Sequence, residues 1–426
     1  MKDPTLKRLI ENFSALAILQ GVNYILPLLT LPYLVKVLGS ASYGRLAIIQ
    51  TIILYLVLLI NYGFNFSAVK KVSRARNDKN ELIALVQNVT ATKVSIVITL
   101  IPIYLVILKL FGLFNEDFSV AIFGIIILFG TALSFEWFFQ GIEKMKFITV
   151  ISAVTKSILH LPVFFIVNSP SDYRLVVVLQ AVGVLTSGLL GVILLNQRFG
   201  IVLHNPALFT KEVFNEIKDG APFFGTTAAS SLYRNANILI LGIFSNNSIV
   251  GYYAAAERIV KAIQALTEPV SRTLYPFFSL KAKDNSLINL LSKYGKYIIA
   301  ICSFTFIVCL LFIFNADIVS RVLYGEIFED FLIIFKVMLP IIFFGCITQI
   351  YGIVILGNIG CQKWIFKLVL FAGIFNIVAA YVLSKLFGGV GCALSFTLAE
   401  GILATAVVVK VKNIMRLERV CIISKI

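Results

Sequence analysis

Residues 364–410 read WIFKLVLFAGIFNIVAAYVLSKLFGGVGCALSFTLAEGILATAVVVK. Within them lie two mainly apolar runs, near 364–386 and 389–410, each long enough for a helix to cross a hydrocarbon core ~30 Å thick, which takes roughly 20 residues. Runs of this length also exclude a membrane barrel, whose strands would be about ten residues of alternating polarity. The same pattern recurs towards the N-terminus, near 331–356, 294–314, 250–275 and 221–244, then near 173–196, 148–168, 119–141, 84–110, 42–68 and 12–36. The fold class expected is therefore all-α: a polytopic membrane protein of about twelve transmembrane helices.

Composition agrees with that reading. The 426 residues are 59% hydrophobic and 14% charged, with mean hydropathy +0.95, whereas a soluble domain carries about a quarter of its residues as charges. The net charge of +16 would suggest nucleic acid in a soluble protein, but here Lys and Arg gather in short segments between apolar runs. Six cysteines without a Cys-x-x-Cys pair, and only two histidines, indicate neither a disulfide framework nor a metal cage, and no cofactor is implied. Met1 to Arg8 resembles a basic leader, but the apolar run behind it, Asn12 to about Lys36, exceeds a signal-peptide core and reads as an uncleaved first helix.

Basic connections alternate with neutral or acidic ones. One side has Lys70, Lys71, Arg74, Arg76 and Lys79; Lys144 and Lys146; Arg198, Lys211 and Lys218; Lys281, Lys283, Lys293 and Lys296; Lys363 and Lys367; and the tail from Lys410. The other has Glu116 and Asp117, Asp172 with Arg174, uncharged Ser245 to Ser248, and Asp317, Glu326, Glu329 and Asp330. By the positive-inside rule both termini are expected in the cytoplasm, which needs an even number of spans. The longest polar connection separates an N-terminal lobe of six helices (1–197) from a C-terminal one (221–426), with 198–220 as a cytoplasmic linker. Leu38-Gly39 with Tyr43-Gly44 in the first half is echoed by Leu241-Gly242 with Gly251-Tyr252 in the second, as a parallel repeat would require.

A charge at the bilayer centre costs about 2.5–3.5 kcal/mol even on insertion scales, so such residues should face protein or water. Thr227, Ser230, Arg234 and Asn237 recur at helical spacing in the seventh span, and Arg258, Lys261, Glu268 and Arg272 in the eighth. Lys93, Lys156, His160, Glu136 and Glu400 add to them. Each has a bland explanation: Arg258 paired with Glu257, Lys93 and Lys156 snorkelling, Glu136 at the interface. Taken together, cations outnumber anions at membrane depth, and an anionic ligand in a hydrated passage would balance them. Arg binds phosphate through a planar fork and Lys as a point charge, while the amides and hydroxyls suit sugars. The substrate-binding candidates are Arg234, Arg258, Lys261, Lys93, Lys156, Arg272, Asn237 and Ser230. Glu400 and Glu268 are candidates for ion coupling, since a buried carboxylate titrates nearer neutrality.

Several longer stretches carry a family resemblance. Leu31-Pro-Tyr-Leu-Val-Lys-Val-Leu-Gly39 with Tyr43-Gly44, then Tyr62-Gly-Phe-Asn65 with Ser67 leading to Arg74-Ala-Arg-Asn-Asp78, resembles the N-terminal pattern of bacterial O-antigen and polysaccharide repeat-unit flippases. Glu136-Trp-Phe-Phe-Gln-Gly-Ile-Glu-Lys-Met-Lys146 resembles their segment at the end of the fourth span, and Ala221-Pro-Phe-Phe224, Asn237-Ile-Leu-Ile-Leu-Gly242 and Val250-Gly-Tyr-Tyr253 the start of their second half. The resemblance covers nearly the whole chain. It implies the two-lobed fold of the multidrug, oligosaccharidyl-lipid and polysaccharide exporter superfamily. It further implies alternating access, an undecaprenyl-diphosphate-linked oligosaccharide as cargo, ion coupling and a bacterial inner-membrane location. A polysaccharide polymerase and a chain-length regulator are the protein partners expected beside the lipid bilayer.

Two other classes compete. A drug or metabolite exporter of the same superfamily would need carboxylates for cationic cargo, and a peptidoglycan-precursor flippase generally carries two further C-terminal helices. A membrane polymerase or ligase usually has a large outer loop with catalytic residues, and here no nucleophile-base pair, phosphate-cradling loop or nucleotide-binding domain is evident. The expectation is a transporter and not an enzyme.

Overall fold

The computed structural model describes residues 4–113, 118–203, 207–281 and 287–423, and among them there are helices and no strand. The first long element, α1 (Pro4–Asn61), is broken at Gly39, where φ is +70° and ψ 171°. A Cβ there would meet nothing within 4 Å, so the backbone conformation and not lack of space calls for glycine. Helices α2 (Phe64–Ala75), α3 (Lys79–Leu110), α4 (Phe118–Ala132), α5 (Glu136–Gly141), α6 (Met145–His160) and α7 (Val163–Ile166) follow. A 3₁₀ turn at Pro170–Asp172 leads into α8 (Tyr173–Phe199). Then come α9 (Lys211–Phe244), α10 (Asn247–Ala265), α11 (Glu268–Lys281), α12 (Leu287–Phe314), α13 (Ala316–Tyr324), α14 (Glu329–Met338) and α15 (Pro340–Ile347). A π-helix (Thr348–Leu356) precedes α16 (Gln362–Ile423), which is broken at Gly388 with φ +56° and ψ −132°.

Eight helical stretches among the described residues are long and apolar enough to cross a membrane. Two of them, Ile25–Ala75 and Gln362–Glu418, contain the glycine breaks and so carry more than one apolar segment each. The runs expected near 84–110, 119–141, 148–168 and 173–196 fall on Lys79–Leu110, Phe118–Gly141, Met145–Ile166 and Pro170–Phe199. Helix α9 contributes the shorter apolar stretch Arg234–Phe244. Large apolar side chains stand exposed along the helices, Phe165, Leu110 and Phe314 among the most open. This is a surface suited to lipid and unsuited to water. The chain is a multi-pass membrane protein.

Contacts divide the chain into two compact units, Met1–Ser231 and Leu232–Ile426, with the boundary inside α9. The core of the first is built around α5: Trp137, Phe138 and Phe139 are fully buried against Phe64, Ala68 and Val72 of α2 and Val86 and Val89 of α3. Gly141 lets the two helices touch, because a Cβ there would lie 2.6 Å from Val72 Cγ1. The N-terminal turns of α9 pack on the α1–α2 corner in the same unit. Lys71 bridges Glu216 and Asp219, each at 2.8 Å, and Tyr62 stacks on Phe224 with ring centroids 4.4 Å apart. In the second unit Phe278, Ile298, Cys346, Ile350, Val354, Val407 and Val411 share one core.

Candidate functional site

The intramembrane charges form a cluster in each unit. In the second unit Arg234 lies on α9, where its side chain is exposed and its guanidinium meets no partner among the described residues. Its carbonyl oxygen accepts from Lys261 Nζ at 2.6 Å, so α9 and α10 are tied together at this point. The same ammonium contacts Glu257 Oε1 at 3.1 Å and Asn235 Oδ1 at 3.3 Å, and it stands 5.8 Å from the centre of the Phe396 ring. Glu257 and Lys261 share a face of α10 because they are one turn apart. The acid is almost wholly buried, whereas the lysine side chain is 23% exposed. Arg258, one residue beyond Glu257, points elsewhere: it is half-buried and engaged with other groups of the protein.

Asn237 lies one turn beyond Arg234 but only 1% exposed. Its Nδ2 donates to Tyr253 Oη at 2.9 Å, its Oδ1 accepts from Asn376 Nδ2 at 2.9 Å, and its carbonyl receives the Cys392 thiol at 3.5 Å. Three residues of helix turn the side chain by about 60°, enough to carry it from the surface to the interior. The expected polar stripe therefore divides: Arg234 faces outwards, and Asn237 joins α9, α10 and α16 in a buried network whose carboxamide is committed to protein at both ends. Thr227 returns its hydroxyl to the Phe223 carbonyl at 3.0 Å. Ser230 and Arg272 are on α9 and α11, but their side chains lie outside the described residues. Glu268 begins α11 half-buried, and Glu400 is buried on α16; both are engaged with other groups.

In the first unit Lys93 of α3 is buried to 1% exposure and donates to the Ser134 carbonyl at 3.2 Å. Lys93 and Lys156 of α6 both act electrostatically on Glu136, at the start of α5. Glu136 is itself exposed. Two cations around one carboxylate leave the cluster net positive. His160 is occupied by packing, its Nδ1 2.9 Å from Thr30 Oγ1. Glu257 stood in the sequence as a local partner for Arg258, and it is Lys261 that it contacts. Its i,i+4 spacing to Lys261 was the available signal. Tyr253 and Asn376 had none beyond their polarity, and the bridge from Lys71 to Glu216 and Asp219 spans too much sequence for spacing to show it.

Residues 9–280, from α1 to the end of α11, match the family model described as polysaccharide biosynthesis protein. The chain belongs to the polysaccharide biosynthesis protein family. The matched region contains both clusters up to α11, while Asn376, Cys392 and Phe396 come from the part beyond it. A protein of Escherichia coli (strain K12) named "Putative O-antigen transporter" is 28% identical over 411 residues, 95% of this chain and 96% of its own length. Among solved structures the fold is shared with the lipid II flippase MurJ in an inward closed conformation. That likeness has a TM-score of 0.68 and 15% identity, covering 93% of this chain and 87% of that one. It is also shared with an inward-facing multidrug resistance MATE transporter of the MOP superfamily, at TM-score 0.64 and 11% identity over 92% and 99% of the two chains. The polysaccharide biosynthesis family member described here thus has a MATE-like and MurJ-like helical fold.

Proposed function

We propose that this chain is a flippase that carries an undecaprenyl-diphosphate-linked oligosaccharide, an O-antigen or related repeat unit, from the cytoplasmic to the outer leaflet of a bacterial inner membrane. It works by alternating access, with about twelve spans in two lobes, both termini cytoplasmic, and no chemical step of its own. The observation that carries the reading is Arg234: an exposed guanidinium at the head of the apolar stretch Arg234–Phe244, with no counter-ion among the described residues. Such a group is costly unless water or an anion meets it, and a diphosphate supplies two phosphoryl faces for its donor fork. Lys93 and Lys156 beside Glu136 are the cations proposed for anionic cargo in the first unit taken by itself, and Arg258 and Arg272 lie on the helices that follow Arg234 in sequence. The relationship with a named O-antigen transporter over almost the full chain supports the cargo class.

Outward movement of an anion is favoured by an inside-negative potential, at about 2.3 kcal/mol per charge per 100 mV. Glu400 and Glu268 are the carboxylates proposed for any additional ion coupling. A polymerase and a chain-length regulator would receive the cargo. Export of cationic drugs is the weaker reading, because the buried acid beside Arg234 already has Lys261 as its counter-ion.

The test is flipping of a defined lipid-diphosphate sugar in proteoliposomes. Arg234→Ala is expected to slow it by about tenfold or more, the scale of one lost charge-assisted phosphate contact, with insertion and thermal stability unchanged. An unaltered rate would remove Arg234 from the cargo path.

A further inference from the structure

We infer that Glu257 is a built-in competitor for the cargo's anion, holding Lys261 while no diphosphate is present and giving it up when one binds. The inference rests on the flippase reading and adds to it how the site is emptied. An ammonium has three N–H donors. In this structure Lys261 Nζ donates to the Arg234 carbonyl and the Asn235 amide oxygen and is ion-paired with Glu257 Oε1 at 3.1 Å, with the Phe396 ring on another side. Its third N–H makes no hydrogen bond to the carboxylate, so Glu257 holds the lysine by charge alone. Lys261 is nonetheless moored next to Arg234, whose own guanidinium has no partner among the described residues. A diphosphate on Arg234 that also engages Lys261 would compete with the Glu257 carboxylate for the charge of that lysine.

The two neutral oxygens belong to α9 and keep the ammonium in place, so what the ligand displaces is the ion pair with the carboxylate, the one contact carrying the same charge as the ligand. Displacement leaves Glu257 without its counter-ion in a site where it is only 4% exposed, and a buried, unpaired carboxylate is strongly unfavourable. The Tyr253 hydroxyl, one turn back on α10, accepts from Asn237 and has only a neutral O–H to offer, which does not replace the lost counter-ion. Each bound diphosphate therefore works against the return of Glu257 to Lys261, which weakens binding and speeds release. A carrier needs that property, because a site that held its anion too firmly would not empty on the far side.

The decisive measurement is the affinity of the full-length protein in nanodiscs for inorganic pyrophosphate, alongside flipping kinetics of the lipid-linked sugar. Glu257→Gln removes the competing charge and is expected to tighten pyrophosphate binding about tenfold, within the usual range for coupling between two ligands of one protein. Both KM and kcat for flipping should fall, since release becomes slow. Glu257→Gln combined with Lys261→Gln should lose that gain, because the affinity comes from the freed lysine. If Glu257→Gln fails to fold, Glu257→Asp keeps the charge but draws it back by one methylene, and it is expected to bind more tightly than wild type by a smaller factor. Wild-type affinity in the variant that folds, with Arg234→Ala still weakening binding, would overturn the competitor and leave the cargo reading standing. Absence of pyrophosphate binding in every variant, Arg234→Ala included, would overturn both.

Discussion

Arg234 and Asn237 are one helical turn apart and have opposite environments, one exposed and one buried, which shows how narrow the margin is between an open group and a scaffold group on a membrane helix. Asn237 is held by Tyr253 and Asn376, so its loss would take a hydrogen bond from each of two buried polar groups. Asn237→Leu is expected to lower stability by about 1–3 kcal/mol, read as thermal unfolding in detergent. Flipping by the folded fraction should stay near wild type, and a selective transport defect in fully stable protein would return Asn237 to the cargo site. Lys93 poses the complementary case, a buried ammonium whose acid partner Glu136 is open at its surface. Lys93→Met combined with Glu136→Gln is expected to destabilise less than the sum of the two single changes, giving a coupling of about 0.5–1 kcal/mol in a double-mutant cycle. Additive effects would mean that the two charges do not interact.

At the scale of elements, the short helix α5 has the sequence Glu136-Trp-Phe-Phe-Gln-Gly141 and packs its three aromatic residues into the core of the first unit. Gly141→Ala would drive a methyl group into Val72 and should cost about 1–3 kcal/mol by overpacking. Val72→Ala in the same chain should recover most of the loss, and failure of that rescue would mean that α2 and α5 do not meet as described. This element also shows what could be read from residues alone. The apolar run near 119–141 was legible by length, and Trp137 to Gly141 stood out as a motif. That the run splits into α4 and α5, with Gly141 against Val72, depends on a contact between distant segments that no periodicity encodes. The glycine break in α1 was legible for the opposite reason: Gly39 needs only its own backbone angles. At the site, the surplus of cations could be counted in the sequence. Which of them was already neutralised could not, because the partner of Lys261 includes a carbonyl of another helix.

For the molecule as a whole, the remaining question is which way it faces, and the basic connections argue it. The rule counts Lys and Arg and gives Asp and Glu little weight. The bridge from Lys71 to Glu216 and Asp219 is therefore no objection to an inner location, although it neutralises that lysine locally. The segment around Lys211 and Lys218 shares a side with Lys71, since the bridge joins them, and by the alternation of charge both are expected in the cytoplasm. Asp172 and its neighbours, one span earlier than Arg198, then face outwards. Ser171 and Lys211 are both exposed, so cysteines placed there report the two faces. In a background cleared of native cysteines, Ser171→Cys is expected to react with a membrane-impermeant maleimide in intact spheroplasts. Lys211→Cys should react only after the membrane is opened. The reverse pattern would invert the protein in the membrane and, with it, the direction in which the proposed cargo travels.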